Sequence, residues 1–274
     1  MTNGWIWTSL KREEGFKQGR KRKQDMKRKR ALLLYLAGTL GQILLVSLLV
    51  WLLRAGGVRV DYGTPIGLFT LILGGLSSAI WGGYVSIRYH HSSFKQLVRD
   101  FFQVKQPLSN YLLVLIFLGL DFLPLLLSGG MIIQAWYLPI ILFCKALVFG
   151  GIEEIGWRYF FQPALQEKLT YLVSTLFTFL AWSLWHILYF YIDGSLATIH
   201  LLPFLLGLLS NCFILSTIYT NTRSLWLCVM THALINALSQ LSSAESLWLS
   251  LVIKVLIILL AMKIAGSSME KVKS

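Results

Sequence analysis

Several ionisable side chains lie inside apolar stretches of the sequence, where charged groups are rare. Those predicted to lie at membrane depth include Asp121, Lys145, Glu153, Glu154, Arg158, His186 and His232. A charged side chain at membrane depth costs about 3 kcal/mol or more unless it is paired or hydrated. Residues of this kind therefore indicate a site of proton transfer, ion binding or catalysis.

The densest group of polar residues is the segment 150–158, which reads Gly-Gly-Ile-Glu-Glu-Ile-Gly-Trp-Arg. In a helix, Glu154 and Arg158 stand at positions i and i+4, so the guanidinium can hold that carboxylate as an ion pair. Glu153 points about 100° away around the helix and is free to face a cavity. A carboxylate placed in this way suits a general acid or base. Read alone, the segment is equally compatible with a surface Glu–Arg pair at the inner end of a helix.

Two further apolar stretches each carry a histidine. Trp182 lies four residues before His186, and His232 lies four residues before Asn236. The second spacing places His232 and Asn236 on one face of a helix. A single histidine on an apolar helix is usually a packed residue with one hydrogen bond. Two histidines and an amide together with an acidic pair indicate a shared polar site.

The order Glu-Glu-x-x-x-Arg, aromatic-x-x-x-His, His-x-x-x-Asn resembles the CAAX-processing and bacteriocin-processing (CPBP) family of intramembrane glutamic endopeptidases. The matching residues are Glu153, Glu154, Arg158, Trp182, His186, His232 and Asn236, within about residues 140–240. The family more often has Phe where this chain has Trp182. We expect that difference to alter packing beside His186 and to leave the chemistry untouched.

The resemblance implies an endopeptidase that hydrolyses a peptide bond of a membrane-associated or peptide substrate. Glu153 and His186 would hold and deprotonate a water molecule. His232 and Asn236 would donate hydrogen bonds to the carbonyl oxygen as negative charge develops on it. The short loops of the chain resemble those of a bacterial member, for which a prenylated substrate is not expected.

The resemblance also implies that Glu154 and Arg158 are supporting residues that orient the helix and set the charge state of Glu153. No cofactor is then required. Zinc held by His186, His232 and a glutamate is the alternative, because these residue types bind zinc. A His-Glu-x-x-His helix would favour the zinc alternative, and the sequence has none.

Composition indicates that the elements carrying these residues are membrane helices. The 274 residues are 56% hydrophobic and only 14% charged, and the apolar runs are continuous rather than alternating. The sequence predicts an all-α polytopic membrane protein with about eight transmembrane helices, since a crossing needs about 20 apolar residues. The predicted crossings are residues 31–53, 66–87, 111–127, 131–161, 171–191, 196–219, 225–241 and 247–265.

The formal net charge of +13 is concentrated at the amino terminus, where residues 1–30 carry 11 Lys and Arg against three acids. A basic block directly before an apolar run is typical of a cytoplasmic anchor against anionic lipid headgroups. We therefore expect a basic leader over residues 1–30, one transmembrane domain over residues 31–266 and a tail over residues 267–274, with both termini in the cytoplasm of a bacterial cell. Nucleic acid is not an expected partner.

The sequence supports further expectations about charged pairs, cysteines and alternative functions. Asp121 and Lys145 are predicted to pair between the third and fourth crossings, since both lie near mid-depth. The three cysteines have no metal-ligand or disulfide spacing and are expected to pack as small apolar residues. Two other functions remain open: a non-catalytic immunity or scaffold protein of the same fold, and an ion-coupled transporter in which buried charges relay protons.

Overall fold

The computed structural model describes the backbone of residues 4–89, 92–243 and 246–273, with side chains described at residue 20 and over residues 22–89, 92–243 and 246–267. Within these ranges helices make up the fold, and the one pairing of extended backbone is an isolated bridge between Met131 and Ser242. The α-helices are α1 Gly4–Ala55, α2 Pro65–Gly75, α3 Ser77–Tyr89, α4 Phe94–Phe101, α5 Leu108–Asp121, α6 Leu123–Ser128, α7 Leu138–Phe149, α8 Glu154–Gly156, α9 Gln162–Gln166, α10 Tyr171–Asp193, α11 Leu201–Thr222, α12 Leu225–Ser239 and α13 Leu247–Lys273.

Among the described residues, five helical stretches are long and apolar enough to cross a membrane. They are Arg22–Ala55, Pro65–Tyr89, Tyr171–Asp193, Leu201–Thr222 and Leu247–Ser267. The shorter apolar helices α5 and α12 coincide with the third and seventh predicted crossings. The structure is therefore an all-α polytopic membrane fold. The basic leader is continuous with the first crossing, because α1 begins at Gly4 and runs without interruption to Ala55.

The fourth predicted crossing, residues 131–161, is wrong as a single continuous helix. Helix α7 ends at Phe149, and a 3-10 turn over Gly151–Glu153, the short α8 and a π-helical turn over Trp157–Phe161 follow it. The chain comes very close to α3 at this break, since a Cβ on Gly82 would collide with the backbone of Gly156. Only glycine permits that approach. We call residues 150–161 the broken segment.

A cluster of buried aromatic residues packs the broken segment against α1 and α10. Trp157, Trp182 and Trp185 are at most 1% exposed. The ring of Tyr35 on α1 meets the ring of Trp157 edge-on at 5.6 Å between centroids, an arrangement that aromatic pairs favour. The Tyr35 hydroxyl also hydrogen-bonds Ser78 Oγ at 2.9 Å. Helices α1 and α10 thus hold the broken segment from two sides.

The predicted pair between Asp121 and Lys145 is wrong. Asp121 Oδ1 lies 3.7 Å from Lys254 Nζ on α13, because α5 packs against α13. Lys145 lies on α7 with its Nζ 5.0 Å from the centroid of the Tyr62 ring. Residue count placed both charges near mid-depth, but the partner of each is decided by which helices are neighbours. Cys212 and Cys228 are buried as expected, whereas Cys144 is exposed.

Candidate active site

The two adjacent glutamates of the broken segment face different surroundings. Glu153 ends the 3-10 turn and Glu154 begins α8. Both are buried, at 3% and 0% exposure. Glu154 Oε1 lies 3.4 Å from Arg158 Nη1 and 2.8 Å from His232 Nδ1. Glu154 therefore joins the broken segment to α12, while the Glu153 side chain is engaged elsewhere.

Arg158 is as deeply buried as its carboxylate partner. Its side chain has 0% exposure, and its Cζ lies 4.4 Å from the centroid of a Trp182 ring. A guanidinium over an indole face gains a cation–π attraction that is strongest when water is excluded. Arg158 thus pairs with Glu154 through charge and with Trp182 through its ring face.

Trp182 also contacts Glu153 directly. Its Nε1–H donates to Glu153 Oε2 at 2.9 Å, and the backbone carbonyl of Glu153 accepts from Ser78 Oγ at 3.1 Å. A phenylalanine at position 182 has no N–H and could not make this contact. The effect of Trp182 on the chemistry stays a prediction. Ser78 was not identified from the sequence, since serines are common in membrane helices and nothing in its spacing marks it.

His186 is oriented by its own helix. Its Nδ1 lies 2.9 Å from the carbonyl oxygen of Trp182. A carbonyl oxygen can only accept, so this geometry assigns the proton of the neutral ring to Nδ1 and leaves the lone pair on Nε2. The ring is enclosed by Trp182, Trp185 and Phe204, whose centroids lie 5.0 to 5.2 Å away. His186 can therefore accept a proton or a hydrogen bond through Nε2.

His232 and Asn236 converge on Gly150, as their common helix face predicts. A Cβ built on Gly150 would collide with Asn236 Nδ2 and would lie 3.3 Å from His232 Nε2. Gly150 thus keeps open the space into which these two nitrogen atoms point. This glycine was not singled out from the sequence, although its place immediately before the acidic pair is a signal that could have found it.

A cavity of about 460 Å³ connects the separate elements of the site. Its lining includes Glu153, His186 and Asn236, together with Lys145 and Asp193. His232 is not one of the lining residues; it lies one helical turn before Asn236 on α12, with its ring centroid 5.3 Å from that of Trp182. Three apolar stretches that are distant in sequence thus bring a carboxylate, an imidazole acceptor and an amide donor to one cavity. Such a set can accept a proton at one point and donate hydrogen bonds at another.

The residues present offer a limited set of donors to a metal ion. Among the residues that the structure describes, no three His, Cys, Asp or Glu side chains are grouped closely enough to hold one. One nitrogen of His232 already lies against Glu154. His232 Nε2 and His186 Nε2 remain as nitrogen donors, so the zinc alternative stays a prediction for metal analysis of the active protein to test.

The geometry predicts that Glu154→Ala destabilises the protein, because Arg158 would be left buried without its carboxylate. Breaking a buried ion pair from one side costs about 3–5 kcal/mol. We expect a lower unfolding temperature in detergent and a simultaneous loss of activity. Glu154→Gln, which keeps an acceptor for His232, should be destabilised less.

The double variant Glu154→Ala with Arg158→Ala is the control for this pair. It removes the unpaired guanidinium and is expected to recover part of the lost stability. A double variant that unfolds at or below the temperature of Glu154→Ala would contradict a stabilising pair.

Comparison with known proteins agrees with the extent of this site. Residues 134–238 match the family model described as type II CAAX prenyl endopeptidase Rce1-like. No curated protein matches the sequence significantly. The matched range runs from the loop before α7 nearly to the end of α12, and it contains every side chain of the motifs discussed above. Residues 134–238 of this chain are therefore an Rce1-like, CAAX protease-type domain of the CPBP family.

Proposed function

We propose that this protein is an intramembrane endopeptidase that hydrolyses a peptide bond with a water molecule activated by Glu153 and His186. The observation that carries the proposal is the shared cavity, in which Glu153, His186 and Asn236 meet within an Rce1-like domain. The substrate is a peptide or a membrane-associated protein whose scissile bond enters that cavity. The protein is a multi-pass component of the cell membrane with both termini in the cytoplasm.

The first step is attack of water on the carbonyl carbon. Glu153 takes one proton from the water, and His186 Nε2 accepts a hydrogen bond from its other hydrogen. The hydroxide oxygen bonds to the carbonyl carbon, and the carbonyl oxygen becomes an oxyanion. Glu153 then returns its proton to the amide nitrogen as the C–N bond breaks. The products are a carboxylic acid and an amine, and the acid becomes a carboxylate when it releases its proton to solvent.

Stabilisation of the oxyanion falls to Asn236 and His232. The Asn236 amide donates in its ordinary state. His232 can donate from Nε2 only when it and Glu154 together hold two protons, one between Nδ1 and the carboxylate and one on Nε2. The contact of 2.8 Å between Nδ1 and Glu154 Oε1 supports that arrangement. Glu154 thus acts as a positioning residue for His232.

Glu153→Gln is predicted to abolish cleavage, because the amide keeps the shape of the side chain and loses the base. Positioned acid–base groups contribute about 100- to 10,000-fold to rates, and we expect losses in this range for Glu153→Gln and for His186→Ala. Comparative peptidomics of membranes carrying wild type or variant would supply the substrate, and its cleavage by purified protein would give the rates.

The matched control for the Glu153 variant is Glu167→Gln. It removes the same charge from a carboxylate that pairs with Arg28, remote from the motifs. This control should cleave at the wild-type rate. Near wild-type cleavage by Glu153→Gln in folded protein would refute the proposed mechanism and would favour the non-catalytic or transporter alternatives.

Trp182→Phe is predicted to lower kcat while leaving KM nearly unchanged, since it removes one donor to Glu153 and keeps a ring beside His186. A hydrogen bond to a charged group contributes about 1.5–3 kcal/mol, which corresponds to a loss of about 10- to 100-fold in kcat. Trp185→Phe is a matched control, because the Trp185 indole donates to Ser77 Oγ at 2.8 Å instead of to a carboxylate. Equal losses of kcat in the two variants would contradict a specific role for Trp182.

Metal removal separates the glutamic mechanism from the zinc alternative. We expect purified, active protein to contain far less than one zinc per chain and to keep its activity after prolonged treatment with a strong chelator. Elemental analysis of the active protein is the deciding measurement, because chelators also perturb proteins in detergent by other routes. About one zinc per chain, with recovery of activity by zinc alone after its removal, would overturn the metal-free mechanism.

A further inference from the structure

A strongly basic surface lies at the end of the first crossing, away from the candidate active site. Two cavities of about 440 and 310 Å³ adjoin there, since Lys27 and Tyr89 line both. We call this surface the basic cleft, and its cations are Arg20, Lys23, Lys27, Arg28, Arg30 and Arg88. Glu167 is the acidic residue in the same lining. The cleft therefore carries a large excess of positive charge.

The acidic residues around the basic cleft are already paired. Arg28 lies 3.3 Å from Glu167 and 3.5 Å from Asp25, and Asp25 also pairs with Lys168 at 3.2 Å. In the part of the chain that the structure describes, no carboxylate lies within salt-bridge distance of Lys27, Arg30 or Arg88. These three side chains are exposed. Their charge is available to an anion that comes from outside the protein.

An apolar groove continues from the basic cleft along the same helices. It has a volume of about 600 Å³, and we define it by Leu34, Ala37, Gly41, Leu45 and Trp81. Its polar side chain, Gln42, has both ends occupied within the protein, by the carbonyl of Leu73 at 2.6 Å and the indole of Trp81 at 3.0 Å. The surface of the groove is therefore suited to hydrocarbon.

The residues of the basic cleft and of the apolar groove lie on one face of α1 and on one face of α3. The positions on α1 are Lys27, Arg30, Leu34, Ala37, Gly41 and Leu45, which follow each other at intervals of three or four residues. Residues at that spacing share a helix face. On α3, Trp81 and Arg88 are seven residues apart, which is about two turns. The charges and the groove thus lie in line.

The length of the groove matches one leaflet of a bilayer. Leu34 and Leu45 are 11 residues apart on a continuous helix, which gives about 16 Å at the helical rise of about 1.5 Å per residue. Half of a hydrocarbon core is about 15 Å thick. The groove begins one turn after Arg30, so a headgroup in the cleft would place its acyl chain in the groove.

We propose that the basic cleft and the apolar groove together bind one anionic phospholipid, with its phosphate among Lys27, Arg30 and Arg88 and an acyl chain against Gly41 and Trp81. A free phosphate would leave the groove unused, and a zwitterionic lipid would leave the excess charge uncompensated. Anionic headgroups are attracted by juxtamembrane Lys and Arg. The site is independent of the proposed peptidase activity.

The headgroup half is tested with purified full-length protein from which lipid has been removed in detergent. Retained lipid is measured by native mass spectrometry and stability by thermal unfolding, with phosphatidylglycerol, phosphatidylcholine or inorganic phosphate added. We expect phosphatidylglycerol to be retained preferentially and to raise the unfolding temperature. The triple variant Lys27→Gln, Arg30→Gln and Arg88→Gln should weaken that binding by about 100-fold, roughly fivefold for each cation.

The matched control removes three positive charges elsewhere, in Lys95→Gln, Lys105→Gln and Lys263→Gln. It should bind phosphatidylglycerol as wild type does. Equal weakening in the two triple variants would show a general effect of net charge and would overturn the proposed site. Equal binding of phosphatidylglycerol and phosphatidylcholine by wild type would also overturn it.

Gly41→Leu tests the acyl-chain half. A Cβ on Gly41 meets no atom within 4 Å, so a side chain at this position begins in open space beside the groove, and leucine favours a helix over glycine. We expect this variant to fold and to lose binding of long-chain phosphatidylglycerol. If inorganic phosphate stabilises the wild type as well as phosphatidylglycerol does, and Gly41→Leu changes nothing, the cleft binds a free anion and the lipid proposal fails.

Discussion

Arg158 carries a permanent charge in a place that water does not reach, and a guanidinium in such a place is tolerated only with a carboxylate beside it. Glu154 supplies that carboxylate at 3.4 Å. The same oxygen contacts His232 Nδ1, so the ion pair also determines how the imidazole is turned and directs Nε2 towards Gly150. Trp182 lies over the guanidinium and reaches Glu153 with its indole N–H. Compensation of one buried charge thus orders most of the polar groups of the site.

The irregular backbone of the broken segment places the adjacent side chains of Glu153 and Glu154 against different partners. In a regular α-helix the side chains of Glu153 and Glu154 would point about 100° apart around the helix axis. The change from a 3-10 turn at Glu153 to α-helix at Glu154, followed by a π-turn, sets each carboxylate against its own partners. π-turns of this kind are frequent at functional sites. Close packing of the Gly156 backbone against Gly82 keeps the irregular backbone inside protein, where its polar groups can be satisfied.

The helices outside the Rce1-like domain take part in holding the site. Ser78 on α3 donates to the carbonyl of Glu153, and Ser77 accepts from the indole of Trp185. Tyr35 on α1 contacts Ser78 and packs on Trp157. The same two helices present the basic cleft and the apolar groove on their outer surface. An amino-terminal unit without a motif of its own therefore has an inner face that supports the site and an outer face suited to lipid.

Local patterns in the sequence were sufficient to predict an all-α membrane fold, the Glu154–Arg158 pair and the common face of His232 and Asn236, because apolar run length and i,i+4 spacing are properties of single helices. They could not predict the break after Phe149, the partner of Asp121 or the contact of Trp182 with Glu153. Each of these depends on which helix lies next to which, and hydropathy does not encode that neighbourhood. The identity of the polar groups follows from the sequence, whereas their convergence on one cavity comes from helix packing, which decides the direction of each side chain.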